Sequence, residues 1–175
     1  PYLTTLNPLT NSWSHQTHSG WSTINNGTYG GIATYGQYIY VSDDNTGNGD
    51  DNLSGIIRFD MANGTSERFA DTFEPIDLTV GQDGLLYLLH PPTSSSGWAL
   101  EVYDPVSLTH LNHIFFGIAG DHRAVAVNAA GEIYRADAQG NIRRYASAAT
   151  LINEINVCGI SPGRCFLSDL DIAPD

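Results

Sequence analysis

Three similar segments recur along this chain of 175 residues, and their spacing limits the possible folds more than any other feature. Each segment is a short apolar strand, a tight turn that contains glycine, and a second strand that carries a tyrosine. The three tyrosines, Tyr40, Tyr87 and Tyr134, follow one another at intervals of 47 residues. A constant interval across loops of unequal length predicts a repeated structural unit of that size.

The strands that follow each segment complete the unit. Gln82-Asp83-Gly84 and Ala129-Ala130-Gly131 are predicted hairpin turns in which the glycine supplies a positive φ. Third strands are predicted at 56–60, 100–104 and 141–145, and fourth strands at 66–69, 110–116 and 151–157. A weak helical pattern at 146–155 is the competing interpretation there. Four short strands per unit predict an all-β fold of blades, each made of four antiparallel strands.

These repeats resemble those of the β-propeller superfamily, with NHL-type and Kelch-type repeats as the nearest kinds. The likeness rests on the hairpin Asp83-Gly84-Leu85-Leu86-Tyr87 and on the strand end Tyr103-Asp104-Pro105. The Trp-Asp dipeptide of WD repeats is absent, and the double glycine of Kelch repeats occurs as Gly30-Gly31. The resemblance implies a ring of blades whose loops carry the function.

The repeat starts and stops out of phase. Tyr2–Pro8 matches a third strand, Asn11–His15 a fourth strand, and Leu167–Ala173 a first strand. We therefore divide the chain into outer half-blade strands (1–30), three blades (31–74, 75–120 and 121–166) and the inner strand of a further blade (167–175). This amounts to about three and a half blades, whereas closed propellers have about four to eight.

Three explanations of the incomplete ring stay open. The chain is a fragment of a longer protein, or a second copy closes a ring of about six to eight blades, or copies join head to tail in a filament. Unpaired edge strands invite association, so we expect the open edges to be covered. We expect 167–175 to complete a sheet that begins at Tyr2, in the same chain or in another one.

The charge balance excludes several classes of partner. The formal net charge is −12, and all seven basic side chains are arginine. Binding to nucleic acid or to anionic lipid needs a basic face, so neither is expected. No apolar run approaches the roughly 18 residues of a membrane span. The chain begins at Pro1 without a signal-peptide pattern, so we expect a processed chain or a segment.

Cysteines and glycosylation sequons point to an oxidising compartment. Cys158 and Cys165 enclose two glycines and a proline that let the backbone turn back, which favours a disulfide over two free thiols. Two thiolates are too few for a closed zinc site. Sequons occur at Asn26, Asn52 and Asn63, in turn-like stretches, at a frequency close to chance. We expect an extracellular protein, either secreted or on the cell surface.

The acidic loop 43–52 is the strongest candidate for a metal site. It lies between the second and third strands of the first complete blade, and it offers carboxylate and carbonyl oxygens at alternate positions, as calcium loops do. The bidentate acid that ends an EF-hand loop is missing, and a solvated loop of Asx turns is the alternative. The predicted calcium ligands are Asp43, Asp44, Thr46, Asn48, Asp50 and Asp51.

Histidines are weaker candidates. His110 and His113 are three residues apart on a predicted strand, which places them on opposite faces, so joint chelation of a metal is not expected. The same argument applies to His15 and His18. His90 precedes two prolines and is predicted to lie in a loop. Each histidine is interpreted as a surface or interface residue.

Other polar and aromatic residues are candidates for ligand contacts. The polar residues of the predicted inner strands are Asp77, Asp121, Arg123 and Asp169, of which Asp77 and Asp169 could line a central channel. We expect Asp77 to hydrogen-bond with neighbouring backbone. Trp13, Trp21 and Trp98 could stack on sugar rings, although packing between blades is favoured. Trp98 follows Ser94-Ser95-Ser96-Gly97 and is predicted to be the most exposed of the three.

The leading interpretation is an extracellular propeller that serves as a scaffold or binding module without enzymatic activity. Its open half-blade edges predict self-assembly into a homo-oligomer or filament, or completion by the remainder of a longer chain. One alternative is a lectin-like module that binds carbohydrate or calcium. The other is a fragment of a six-bladed calcium-dependent hydrolase, for which the sequence shows no central ligand set. Calcium is the cofactor considered, and glycans are considered as partners.

Overall fold

The structure, a computed structural model of the chain, describes residues 2–7, 9–17, 30–43, 54–70, 75–91, 97–116, 122–146, 150–158, 167 and 169–172. Within these residues the regular secondary structure is entirely β, which confirms the all-β prediction. The helical interpretation of 146–155 is wrong, because Leu151–Asn156 is a strand paired with its neighbour. In the described part of the chain, no helix has the length and apolarity needed to cross a membrane.

The described strands follow the predicted order of short alternating segments. Their bounds are β1 (Tyr2–Asn7), β2 (Ser12–Thr17), β3 (Ile32–Tyr35), β4 (Tyr38–Asp43), β5 (Gly55–Asp60), β6 (Thr65–Ala70), β7 (Asp77–Val80), β8 (Leu86–His90), β9 (Ala99–Tyr103), β10 (His110–Phe115), β11 (His122–Val127), β12 (Ile133–Asp137), β13 (Asn141–Tyr145) and β14 (Leu151–Asn156).

Twelve of these strands form three sheets, each a simple antiparallel meander of four strands. The first sheet has the order β3-β4-β5-β6, the second β7-β8-β9-β10 and the third β11-β12-β13-β14. Each sheet lies within one of the predicted segments 31–74, 75–120 and 121–166. The remaining strands, β1 and β2, pair antiparallel in a hairpin within 1–30. The sheets are the predicted four-stranded blades.

The two ends of the chain differ from the full sheets. Among the described residues β1 pairs with β2 alone, and residues 167 and 169–172 are not in a strand. The Gln82 side chain donates a hydrogen bond from Nε2 to the carbonyl oxygen of Ile172 at 3.2 Å. This contact ties the end of the described chain to the second sheet. The assignment of 167–175 to a further blade stays a prediction.

Turn chemistry and the tyrosine repeat explain why the first two strands of the second and third sheets have the same register. Gly84 and Gly131 have φ of 83° and 72° in the turns that join first to second strands, as predicted. The three tyrosines occupy the second strand of each sheet. The turns of the second and third sheets have the same length, so Tyr87 and Tyr134 have equivalent partners, whereas the first sheet has the shorter turn Gly36-Gln37.

The sheets pack face to face through apolar side chains, and their inner strands β3, β7 and β11 lie next to one another. One cluster joins the first and second sheets and consists of Tyr40, Ile56, Leu78, Leu86, Leu88 and Leu108. Another joins the second and third sheets and consists of Tyr87, Leu89, Trp98, Leu100, Val102, Ile114, Val125, Val127, Ile133 and Tyr145. These clusters hold the blades in an arc around the inner strands.

Candidate functional site

Two polar features differ from this apolar packing, one a cavity and the other a cluster of side chains. The first is the inner cavity, a space of about 420 Å³ beside strands β3 and β7, which Asp77, Asp169 and Asp171 help to line. The second is the histidine cluster, formed by His90, Glu101, His110 and His113 on strands β8, β9 and β10. Both belong to the second sheet or border it.

Asp77 is the buried carboxylate of the inner cavity. Its Oδ2 accepts a hydrogen bond from the backbone N–H of Val125 at 2.8 Å, which ties β7 to β11. Burial, against the effect of two backbone hydrogen bonds and with some help from the charge of Asp169, raises the pKa of Asp77 to about 7. The cavity therefore holds a carboxyl group that changes its charge near neutral pH.

Gly31 lets the backbone before β3 lie close to the Asp77 carboxylate. A Cβ on Gly31 would collide with the Asp77 carboxylate and with the backbone of Leu78. The Gly31 N–H instead donates to Ser42 Oγ at 2.8 Å, which fixes the backbone before β3. The double glycine that resembled Kelch repeats thus allows the first and second inner strands to lie close together.

The predictions for the inner strands are confirmed in two respects. Asp77 and Asp169 both line the inner cavity, and Asp77 hydrogen-bonds with neighbouring backbone. Asp121 lies outside the described residues, and Arg123 is exposed.

The histidine cluster surrounds the carboxylate of Glu101, which is buried on β9. His90 Nε2 lies 3.1 Å and His113 Nδ1 2.5 Å from Glu101 Oε1, whereas His110 Nε2 lies 2.6 Å from Glu101 Oε2. Burial by itself would raise the pKa of Glu101, but the hydrogen bonds from His90, His113 and His110 lower it to about 2. Glu101 is therefore an ionised carboxylate held by three imidazole rings.

The expectation that His110 and His113 lie on opposite faces is wrong. Strand β10 contains a β-bulge, since Tyr103 pairs with His110 but Val102 pairs with Asn112, which leaves Leu111 as the extra residue. A bulge reverses the alternation of faces beyond it, so His113 pairs with Glu101 and joins His110 on its face. The alternation rule held on each side of the bulge and failed across it.

His90 was predicted to lie in a loop, and this is also wrong. It is the last residue of β8, it pairs with Ala99 and it is buried. The register then places it beside Glu101, because Leu88 pairs with Glu101 and shares its face with His90. The two prolines follow the last residue of the strand, so they do not place His90 in a loop.

The predicted calcium loop falls mostly outside the described residues. Of its six ligands, Asp43 is described, as the buried last residue of β4, and its carboxylate is ion-paired with Arg68. Asp44, Thr46, Asn48, Asp50 and Asp51 are not described, so this site stays a prediction.

Trp98 is not the exposed tryptophan that the sequence predicted. It is 7% exposed, and its ring meets that of His122 edge to face with centroids 4.9 Å apart. The serine-rich stretch ends just before the residue enters the interface between the second and third sheets. Trp13, on β2, is 63% exposed instead, and Trp21 is not described.

The covalent modifications remain predictions. Cys165 lies outside the described residues, as do Asn26 and Asn52, so the structure does not describe the Cys158–Cys165 pairing or those two sequons. Asn63 lies in the exposed turn between β5 and β6, where its Nδ2 donates to Asp60 Oδ2 at 2.7 Å.

Comparison with known proteins rests on structure alone. No protein-family model and no curated protein sequence matches the chain. Similar solved structures include a gluconolactonase from Xanthomonas campestris (TM-score 0.66, 15% identity), a luciferin-regenerating enzyme (0.63, 11%) and BamB from Moraxella catarrhalis (0.53, 16%). All three are propeller-type proteins. The chain has the β-propeller fold.

The extent of each match shows how much of a ring is present. The superpositions cover 94%, 83% and 82% of this chain but 57%, 51% and 37% of the gluconolactonase, the luciferin-regenerating enzyme and BamB. The chain therefore spans about half the length of these propeller proteins, as expected for an incomplete propeller. The narrower likeness to NHL-type and Kelch-type repeats stays a prediction.

Proposed function

We propose that this chain is a propeller scaffold that assembles with further copies of itself. In this proposal the outward face of the third sheet packs against the β1–β2 hairpin of a second copy. The surfaces involved are apolar and exposed, one on the last complete sheet and the other on the hairpin at the start of the sequence.

The interface between the second and third sheets shows how a blade face is normally covered. On β10, Ile114 pairs with Leu100 and is 8% exposed, because the third sheet packs over it. Val125 and Tyr145 belong to the same apolar cluster. An isoleucine at this position of a fourth strand contributes to the interface between blades.

The equivalent isoleucine of the third sheet is exposed, and this observation carries the proposal. Ile155 pairs with Ile142 on β13 as Ile114 pairs with Leu100, yet Ile155 is 51% exposed. The tyrosine repeat follows the same trend, since Tyr40 and Tyr87 are buried and Tyr134 is half-buried. Apolar side chains at interface positions favour a partner blade over this face.

The β1–β2 hairpin offers a matching surface. Leu6 and Trp13 lie directly opposite each other in its ladder, and both are exposed, Trp13 to 63%. Two strands alone bury too little apolar surface for independent stability. Docking the hairpin of one copy on the third sheet of another would cover both surfaces at once.

Sedimentation velocity and light scattering on the purified chain test this assembly. We expect a mass of two or more copies, and a single-copy mass for the variants Ile155→Asp and Trp13→Ser. Leu111→Asp is the matched control, since Leu111 is as exposed as Ile155 but projects from the bulge of the second sheet. This control is expected to assemble like the unchanged chain.

Mixing the two variants sharpens the test. Each one retains the surface that the other has lost, so an equimolar mixture should form a complex of two copies and no larger species. A chain that stays monomeric at about 100 µM, where an interface with a Kd of about 1 µM would be almost fully formed, would contradict self-assembly and leave completion by other blades.

An extracellular location is part of the same proposal. It is supported by the spacing of Cys158 and Cys165 and by the exposed turn position of Asn63. Peptide mapping of the protein from its native source, with and without reduction and deglycosylation, measures both features. Unmodified Asn63 together with free thiols would contradict this location.

A second candidate function, a calcium-dependent hydrolase, is favoured by the inner cavity. Three carboxylates line it, and two of the similar structures are named as a gluconolactonase and a luciferin-regenerating enzyme. In this reading Asp169 and Asp171 would hold the cation, while Asp77 is engaged by the N–H of Val125. Calcium titration and lactone hydrolysis by the assembled protein, compared with Asp169→Asn, test it, and activity equal in both would exclude this site.

A further inference from the structure

Both ring nitrogens of His90 face oxygen atoms that accept hydrogen bonds. Nδ1 lies 2.9 Å from the carbonyl oxygen of Pro91, and Nε2 lies 3.1 Å from Glu101 Oε1. A neutral imidazole has one N–H, so one of these contacts would place a lone pair against an oxygen. The arrangement requires either a second proton on the ring or a cation between His90 and Glu101.

A cation explains the other members of the cluster as well. His113 Nδ1 approaches the same oxygen of Glu101 as His90 Nε2 does, and the three ligand atoms lie within 4.8 Å of one another. Zinc binds nitrogen and carboxylate oxygen at about 2.0–2.2 Å, which places the ligands of a tetrahedral site about 3.3 Å apart. The contacts of His90 Nε2 and His113 Nδ1 with Glu101 Oε1, at 3.1 and 2.5 Å, are shorter than this spacing, so both rings would move away from that oxygen when the ion binds.

We propose that His90 Nε2, His113 Nδ1 and the carboxylate of Glu101 bind one Zn²⁺ ion, with water as the fourth ligand. Two imidazoles and one carboxylate are a donor set that suits zinc and other first-row divalent ions rather than calcium or magnesium. None of these three ligands belongs to the acidic loop 43–52 or lines the inner cavity.

The surroundings of the three ligands fit this role. Metal-binding histidines usually donate their second N–H to a carbonyl or carboxylate, and the Pro91 carbonyl receives Nδ1–H of His90 in this way. His110 Nε2 contacts the other oxygen of Glu101 at 2.6 Å and orients the carboxylate. His110 is therefore a positioning residue rather than a ligand.

Burial divides the site into a fixed base and an accessible side. His90 and Glu101 are buried within the second sheet, whereas the side chains of His110 and His113 are about half exposed. The ion can therefore enter from solvent next to His113, and the two buried ligands are already in place. A preformed part of the site lowers the cost of ordering it on binding.

Bound zinc would join three adjacent strands. His90 is on β8, Glu101 on β9 and His113 on β10, so the ion would fasten the edge strand to the centre of the sheet. A ligand that binds the folded state alone stabilises it. We therefore expect zinc to raise the unfolding temperature of the assembled protein.

The test is calorimetric titration of the full chain with ZnCl₂ after removal of metal by EDTA. We expect one equivalent to bind, and Co²⁺ in its place to show the visible absorption of a four-coordinate site. His113→Ala, at a half-exposed position where folding should persist, is expected to weaken binding at least about 100-fold. His110→Ala should weaken it about 10-fold, as loss of an outer partner typically does.

His15→Ala is the matched control, because His15 is an exposed strand histidine outside the cluster, with Nδ1 at 3.0 Å from Thr4 Oγ1. It should bind zinc as the unchanged chain does. The proposal is overturned if the chain binds no zinc at about 100 µM, or if His113→Ala binds as tightly as His15→Ala with circular dichroism showing both folded.

Discussion

Asp77 and Glu101 are both buried carboxylates of the second sheet, yet their environments have opposite effects. Asp77 borders a cavity that it shares with two other aspartates, and its pKa is raised to about 7. Glu101 lies among three imidazoles, and its pKa is lowered to about 2. Burial raises the pKa of both groups, but three imidazoles outweigh it at Glu101, whereas two backbone N–H donors do not outweigh it at Asp77, where the charge of Asp169 adds to it.

The comparison separates two uses of a buried acid. Glu101 is stabilised in its charged form and is suited to hold cations or protonated rings. Asp77 is poised to lose or gain a proton near neutral pH, and its charge costs the folded state free energy. The following predictions test this contrast in protein kept free of metal with EDTA.

The largest expected effect comes from Asp77→Asn. Because the folded state keeps a proton that the unfolded state releases above pH 3.8, wild-type stability falls as the pH rises towards about 7. The full loss amounts to about 4 kcal/mol, and the variant should lack it. Urea unfolding at pH 4.5, 6 and 8 measures the difference. Asp169→Asn, at an exposed carboxylate that contributes least to the raised pKa of Asp77, should keep most of the wild-type pH dependence. Parallel curves for Asp77→Asn and wild type would refute the assignment.

Glu101→Gln should have the next largest effect and the opposite pH dependence. The lowered pKa of Glu101 contributes about 3 kcal/mol to stability above pH 4.5, and this contribution is lost as the pH falls towards 2. The variant should therefore be less stable at pH 7 and should lose less on acidification. Equal acid unfolding midpoints for variant and wild type would contradict the role of the histidines.

The smallest expected effect is that of His110→Ala. It removes one of the three hydrogen bonds to Glu101, from a ring that is about half exposed, so the pKa of Glu101 should rise part of the way to its ordinary value. The cost at pH 7 is about 1 kcal/mol. A titration followed by NMR measures the pKa of the Glu101 carboxyl directly. An unchanged value would show that His90 and His113 are enough to keep this pKa low.

The architecture was largely predictable from sequence because the repeat is periodic. The spacing of Tyr40, Tyr87 and Tyr134 and the glycines of the hairpin turns define strand order and sheet size, and they define register in the second and third sheets. The expected channel position and backbone hydrogen bond of Asp77 follow from the same register, since inner strands lie side by side. These features depend on local turn chemistry and alternation, which the sequence records directly.

The histidine cluster could not be predicted in the same way. Its assembly depends on the bulge at Leu111, and neither His110-Leu111-Asn112 nor the flanking residues contain a turn signal that marks it. Trp98 was misplaced for a related reason, because a serine-rich stretch indicates a loop but not the depth of the residue that follows it. Pairing partners from distant segments decide both cases.

The extra residue in β10 changes how relatives of this chain should be compared. Pairing the same residues without the bulge would exchange the side chains that meet Glu101 without altering any of their identities. In an aligned homologue, the presence of histidines at 110 and 113 is therefore not enough. Whether β10 bulges decides whether both rings reach the acid, so a homologue with the same histidines on a regular strand, where Asn112 would face Glu101, would lack the cluster.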